Sequence, residues 1–327
     1  MTNRKALFSA GSAITVGTVL AAIWIAAPAL SQGAGQGAWT ARLPMPAPRN
    51  EVAAANVGGK LYVLGGSIAA HPDLTTNDEY DSATDRWRAR ADLPAGASHM
   101  NAVAASGKIY VAGGFRGARH ADPVANVYEY DPAADAWRTL ASLSSPRGSV
   151  ALAAVDSKIH AIGGRGADGK PVTTHQVLDP ATGKWSAAAP LSKARDHTAT
   201  IAVDGSIHVI GGRFGEPSEA TDMHEIYDPA TDRWSSAPPL PAPRSSLAVA
   251  LYQGLIIVIG GETTVDSIAD NDGFDVKQNR WVKLAPLPSP RHGIAGAAIA
   301  DAAYFAGGAQ GVGANGTSDQ IFAFKLP

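Results

Sequence analysis

Apolar and polar positions alternate along the chain in short runs bounded by glycine, proline or aspartate. Such runs read as half-buried β-strands, and the residues between them as turns. One kind of run ends in paired glycines six times, at Gly65-Gly66, Gly113-Gly114, Gly163-Gly164, Gly211-Gly212, Gly260-Gly261 and Gly307-Gly308. A tryptophan stands 26 residues ahead of each pair, at Trp39, Trp87, Trp137, Trp185, Trp234 and Trp281. Seven residues before five of these tryptophans comes Tyr80, Tyr130, Leu178, Tyr227 or Phe274, with a turn such as Asp228-Pro229-Ala230-Thr231-Asp232 between the two. Proline presets φ and aspartate bonds its own backbone, so these gaps are turns with a mechanism.

A fixed period of this length marks a repeat architecture. Each unit, roughly 48 residues long, is predicted to hold four strands. The first is rich in alanine and valine (51–57, 199–203, 247–251), the second ends at the glycine pair (60–66, 108–114), the third carries the Tyr position and the fourth the Trp. Alanine suits a strand that lines an axis where units converge. Paired glycine suits a backbone that takes positive φ or meets a neighbour closely. Tryptophan supplies the flat area that packs one unit on the next.

Paired glycines, then Tyr, six residues and Trp, repeated over residues 38–327, resemble the kelch repeat. The resemblance implies an all-β fold, a six-bladed kelch propeller with four-stranded antiparallel blades. The sixth unit lacks its own Trp strand, whereas Trp39 stands ahead of the first unit. Residues 38–43 are therefore expected to supply the outer strand of the last blade, closing the ring and leaving no open sheet edge at the seam.

The 327 residues, with 35 glycines, 22 prolines and 17% charged residues, suit one large repeat fold better than a disordered chain. There is no cysteine, which excludes thiol catalysis, Fe–S clusters and cysteine-built zinc sites. A net charge of −2 gives no electrostatic reason to expect nucleic acid. Arg4 and Lys5 precede a mostly apolar run, Ala6 to Leu30, with small residues at Ala27-Pro28-Ala29 and Ala29-Leu30-Ser31. Residues 1–31 thus read as an export segment, either a cleaved signal peptide or an uncleaved single membrane anchor, and 32–37 as a flexible spacer. The expected location is exported, periplasmic or secreted, and the expected state a monomer.

Function is sought on the face built from the loops that enter the first strands and those that follow the glycine pairs. Arginine stands sixteen residues before the glycine pair in five units, at Arg49, Arg147, Arg195, Arg244 and Arg291, and Ala97 takes that place in the second. Phe115 and Arg116, Arg165, Arg213 and Phe214, and Glu262 follow the pairs. These residues predict a basic mouth able to bind carboxylates bidentately. A residue common to five blades also fits a framework role, so departures from the repeat, namely His99, Met100, Phe115, Arg116, His120 and Glu262, are candidates of another kind. Ligand-binding candidates are therefore Arg49, His99, Phe115, Arg116, Arg147, Arg165, Arg195, Arg213, Arg244, Glu262 and Arg291.

A metal on His99, His197 and His292 is set aside. The first two lie fourteen residues before their glycine pairs and the third fifteen, which in an extended strand points it to the other face. Gly164 to Gly169 and Gly311 to Gly316 match a dinucleotide fingerprint but follow glycine pairs and open no helix, and nothing calls for a cofactor. Asn315-Gly316-Thr317 is a glycosylation sequon. Fold alone does not deliver function. The leading expectation is an exported recognition module that binds a protein segment or an anionic glycan on the loop face. Its rival is an enzyme: some exported six-bladed kelch propellers are sialic acid mutarotases, and the resemblance would make Glu262, with Arg213 and Arg244, the proton-transfer and carboxylate-binding set. The galactose oxidase type of kelch protein needs a cysteine and is excluded.

Overall fold

The computed structural model describes residues 36–117, 120–300 and 302–327. Residues 1–31 and most of the 32–37 spacer lie outside the described residues. Among the described residues there is no α-helix, only a 3-10 turn at Pro217–Glu219, and no helix able to cross a membrane. Six four-stranded antiparallel sheets follow one another. Blade 1 holds Ala53–Val57, Lys60–Leu64, Asn77–Asp81 and Arg86–Ala89, in that spatial order from axis to rim. Blades 2 to 5 start at Asn101, Ala151, Ala199 and Ala248 and repeat the plan.

Blade 6 takes three strands from the C-terminus, His292–Ile299, Ala302–Ala309 and Ile321–Lys325, and its fourth, Ala38–Ala41, from the N-terminal side. Ala38 faces Lys325 and Trp39 faces Phe324 in register. Trp39 packs on Phe305, Phe322 and Phe324. The seam therefore joins the two ends of the described chain through a full ladder, as the sequence predicts.

The repeated residues stitch neighbouring blades. Every repeat Trp donates its Nε1–H to a carbonyl of the blade before it: Trp39 to Ala285, Trp87 to Leu43, Trp137 to Ala91, Trp185 to Ala141, Trp234 to Ala189 and Trp281 to Pro238, at 2.8–2.9 Å. In blades 1 to 5 the glycine pair lies just beyond the second strand and in blade 6 inside it, and in every blade both glycines take positive φ. A Cβ on Gly113 would stand 2.4 Å from the carbonyl oxygen of Arg147 in the next blade, and the N–H of Gly114 donates to that oxygen at 3.1 Å. The same pair of contacts recurs at all six junctions, so the glycines are required by a blade-to-blade approach that no side chain fits.

The five repeated arginines are 0–1% exposed. Each reaches back into its own blade. Arg49 pairs with Asp78 at 2.7 Å, Arg195 with Glu225 at 2.5 Å and Arg244 with Asp272 at 2.7 Å, while Arg147 and Arg291 meet the amides of Gln176 and Gln320 at 2.9 and 2.6 Å. They also donate to strand and glycine-pair carbonyls, for example Arg147 to Gly163 and Arg291 to Gly307. Burial without a counter-charge pulls Arg147 and Arg291 down to about 10.

Along the axis runs an open channel of about 370 Å³ lined by the first strands, with Ala54, Ala55, Ala102, Ala104, Ala153, Ala154, Ala202, Ala250, Ala295 and Ala297 among its walls. Converging blades leave room for methyl groups there.

Candidate functional site

The mouth of the channel is built from three positions per blade. The residue after each glycine pair bridges antiparallel to the residue after the arginine position: Ser67 to Asn50, Phe115 to Ser98, Arg165 to Gly148, Arg213 to Asp196, Glu262 to Ser245 and Ala309 to His292. One residue further, each blade turns left-handed, at Glu51 (φ 50), His99 (54), Ser149 (51), His197 (54), Ser246 (56) and Gly293 (61). These six form a ring on the axis. Amides of His99, Ser149, Ser246 and Gly293 donate to carbonyls of Glu51, His99, His197 and Ser246 in the preceding blades, at 2.9–3.2 Å. Below the ring lies the alanine channel, and above it a cavity of about 560 Å³.

That cavity is lined by Glu51, His99, His120, Arg165, His197, Arg213, Glu216, Glu262 and His292, with apolar walls from Ile68, Pro72, Pro217 and Val312. Its charged groups are tied together. Asp196, fully buried, accepts from Arg165 Nε at 2.9 Å and from Arg213 Nε at 3.1 Å. Arg213 also meets Glu262 at 2.8 Å, and Ser246 donates to the same Glu262 oxygen at 2.8 Å. Arg165 reaches the carbonyl of Gly215. His292 Nε2 stands 3.8 Å from Glu51 and 3.7 Å from Glu262, with its Nδ1 on Ser267 Oγ at 2.9 Å.

The imidazoles gather on one side. His99 Nε2 lies 3.0 Å from His120 Nε2 and 3.3 Å from Glu51. The rings of His99 and His197 are 5.1 Å apart, and His120 stacks edge-on to both. Burial, with the cations of Arg213 and the neighbouring histidines, holds His99 and His197 well below the usual imidazole range and His120 down to about 4. Burial and the adjacent Glu262 carboxylate push the Glu51 carboxyl up to about 8, against the pull of Arg213.

The mouth is therefore not the basic face predicted from sequence. Arg165 and Arg213 are matched by Asp196 and Glu262, and Glu216 adds a further carboxylate. Of the sequence candidates, His99, Arg165, Arg213 and Glu262 line the cavity. Arg49, Arg147, Arg195, Arg244 and Arg291 lie inside the blades and present no surface to a ligand. In particular Arg244 is spent on Asp272, away from Glu262. Phe115 is fully buried behind His99 and His120, and Arg116 does not line the cavity.

Two family models match: the KLHDC2/KLHL20/DRC7 kelch-repeats domain over residues 149–326, and the kelch motif over 48–94 and 96–144. The first alone spans more than half of the chain. The protein belongs to the kelch-repeat family. A solved structure described as the structure of YjhT is similar at 16% identity and a TM-score of 0.72, over 85% of this chain and 95% of that one. At that identity the likeness speaks to the fold. A search of curated proteins found no match.

Within this kelch frame, the residues that sequence reasoning left out of the mouth are Glu51, Asp196, Ser149 and Ser246. Their signal was present as the one or two positions that follow the arginine column and vary from blade to blade. His292 was placed on the wrong face. Alternation holds in an extended strand, but the chain turns left-handed at the ring position. Side chains fourteen and fifteen residues before the glycine pair therefore both face the mouth, and His292 joins His99 and His197 on the cavity wall.

Proposed function

We propose that this kelch propeller is a recognition module whose loop-face cavity takes a glycan. What carries the reading is the cavity itself. Its volume of about 560 Å³ is suited to one or two sugar rings, and it sets donors (Arg165, Arg213) beside acceptors (Glu51, Glu262). Hydroxyl-rich guests need both kinds of group at fixed angles, and several are held from behind here: the buried Asp196 and Ser246 hold the arginines and Glu262, and the half-buried Ser267 holds His292. An acidic sugar would have to compete with Asp196 and Glu262 for the guanidiniums, so a neutral or singly charged ring fits better than a polyanion. With residues 1–31 as an export segment, the encounter would take place outside the cytoplasm.

The test is a thermal-shift and calorimetric screen of the purified chain against neutral and acidic sugars. Stabilisation lost in Arg213→Ala supports the proposal. No shift with any sugar would sink it and point to a protein segment, to be sought by pull-down from an envelope extract.

A second reading, a sugar isomerase, is favoured by one observation. The Glu262 carboxylate and the His292 imidazole stand side by side on the cavity wall, 3.7 Å apart, within reach of one reducing sugar as base and acid. NMR exchange spectroscopy of a bound sugar would report faster interconversion of anomers, and Glu262→Gln would abolish it while keeping affinity.

A further inference from the structure

The histidines of the mouth form a second arrangement that sugar binding does not need. The frame does not require them. The ring position asks only for a left-handed backbone, which blades 3 and 5 supply with serine and blade 6 with glycine. Non-glycine residues in that region are uncommon and costly, and they cluster where a site over-determines them. His99 and His197 carry imidazoles there, and His120, also left-handed (φ 58), brings a third from the loop after the glycine pair of blade 2.

The orientation of these rings is prepared from behind. His197 Nδ1 lies 2.6 Å from the buried Asp196 carboxylate, so it carries the proton and leaves Nε2 as a lone pair. His99 Nδ1 is held at 2.9 Å by Ser98 Oγ. The Nε2 atom of His99 then points at His120, and that of His197 is left as the acceptor of its ring. His99 and His120 hold theirs 3.0 Å apart, and one nitrogen from each of the three rings lies within 4.8 Å of the others. Two imidazole nitrogens on one tetrahedral zinc ion sit about 3.3 Å apart. A carboxylate behind the imidazole is the usual outer-shell support for a metal-ligating histidine.

We propose that His99, His120 and His197 form a binding site for one divalent transition-metal ion of the zinc class, with Glu51 beside it. Three imidazoles and no thiol favour zinc, copper or nickel over calcium and magnesium. Glu51, 3.3 Å from His99 Nε2, is placed to act as fourth ligand or to accept a hydrogen bond from metal-bound water. All three histidines line the cavity, so the open position of the ion faces the space in which a guest would sit. Two contacts must give way. Arg213 Nη2 donates to His197 Nε2 at 3.0 Å and Ser149 Oγ lies 3.2 Å from the same nitrogen; releasing the first leaves Arg213 its two salt bridges, to Asp196 and Glu262, and the serine hydroxyl can rotate away.

The full chain, stripped with chelator, would be titrated with zinc chloride in competition with a chromophoric chelator, and with cobalt chloride under visible spectroscopy. One equivalent should bind, and cobalt should show the intense d–d bands of a low-coordinate site. His99→Ser and His197→Ser are the chosen variants, because serine is the native residue at the same ring position in blades 3 and 5. Each should weaken binding by more than roughly a hundredfold with the melting curve retained, since a lost ligand costs more than a lost outer-shell partner. His120→Gln, on a loop, is the alternative should either fail to fold, and His71→Ala, outside the cluster, should change nothing. Substoichiometric binding, or an equivalent that survives these variants, would overturn the proposal. Neither readout depends on a sugar, so the metal site and the glycan reading fail separately.

Discussion

Arginine serves two purposes in this propeller. Inside the blades, each repeated arginine has a carboxylate or amide in its own blade, is sealed from solvent and recurs from blade to blade. At the mouth, Arg165 and Arg213 share a single carboxylate, Asp196, and their remaining nitrogens reach a backbone carbonyl, Glu262 and an imidazole on the wall of an open cavity. The same guanidinium is framework where the repeat makes it constant and site where the repeat lets it vary. A residue read as functional because it recurs is therefore weighed the wrong way round.

Removing residues 38–43 should do the most damage. It takes the fourth strand from blade 6, exposes the edge of Ile321–Lys325 and unpacks Phe305, Phe322 and Phe324. The cooperative melt should be lost or fall by many degrees, and an unchanged melting curve would show that the seam contributes nothing.

Next in size is the contrast between the two arginine classes. Arg195→Ala leaves the Glu225 carboxylate buried without its partner, at a cost of about 3–5 kcal/mol. Arg213→Ala leaves Asp196 its second cation, Arg165, and opens Glu262 to the cavity, where water can replace the lost guanidinium, so the loss of stability should be smaller while sugar binding disappears. Chemical denaturation of both variants with calorimetry on the second would separate frame from site, and equal losses of stability would erase the distinction.

The frame was legible in the sequence because its requirements are local and repeated. Glycine pairs, Trp and Tyr answer contacts that recur at every junction, so their spacing survives as a period. The mouth was half legible. Arg165, Arg213, His99 and Glu262 stood out as departures, but Glu51 and Asp196 look like ordinary loop acids until the ring turns them inward. Inside blades 3 and 4, His160 pairs with His175 at 2.9 Å and His208 with His224 at 2.8 Å, and no period in the sequence marks these pairs. His175 and His224 donate through Nδ1 to the carbonyls of Ala189 and Pro238, as Asn77 and Asn271 donate to Ala91 and Ala285 in blades 1 and 5.

Those pairs give an acid response to the frame. Burial holds His160, His175 and His208 down to about 4 and His224 to about 3. The unfolded chain takes up protons from about pH 6.5 downward while the folded blades refuse them, so stability is intact near neutrality and falls as pH drops from 6.5 towards 4. Each histidine adds a slope of up to about 1.4 kcal/mol per pH unit within that window. Melting temperatures across the range should follow this fall. Combining His175→Asn with His224→Asn, the residue of blades 1 and 5, should make it shallower, since His160 and His208 keep their share, and an unaltered slope would place the acid sensitivity elsewhere.

The smallest effect on the frame is expected at Gly293, where the ring position meets the site. Its φ of 61 matches that of the serines in blades 3 and 5, which already bear a Cβ there, so an alanine costs the backbone only about 1 kcal/mol. The new methyl would nonetheless arrive 2.6 Å from Glu51 Oε1 and 2.9 Å from its backbone nitrogen. The carboxylate must swing and the Glu51 backbone must yield slightly, displacing the group that faces both His99 and His292. Gly293→Ala should therefore shift the melting point by a few degrees at most and weaken both zinc and sugar binding. If the ligands bind as before, Glu51 is a wall of the cavity and has no part in recognition. If the chain unfolds instead, the ring is frame after all, and the boundary drawn between blade and mouth lies one residue too deep.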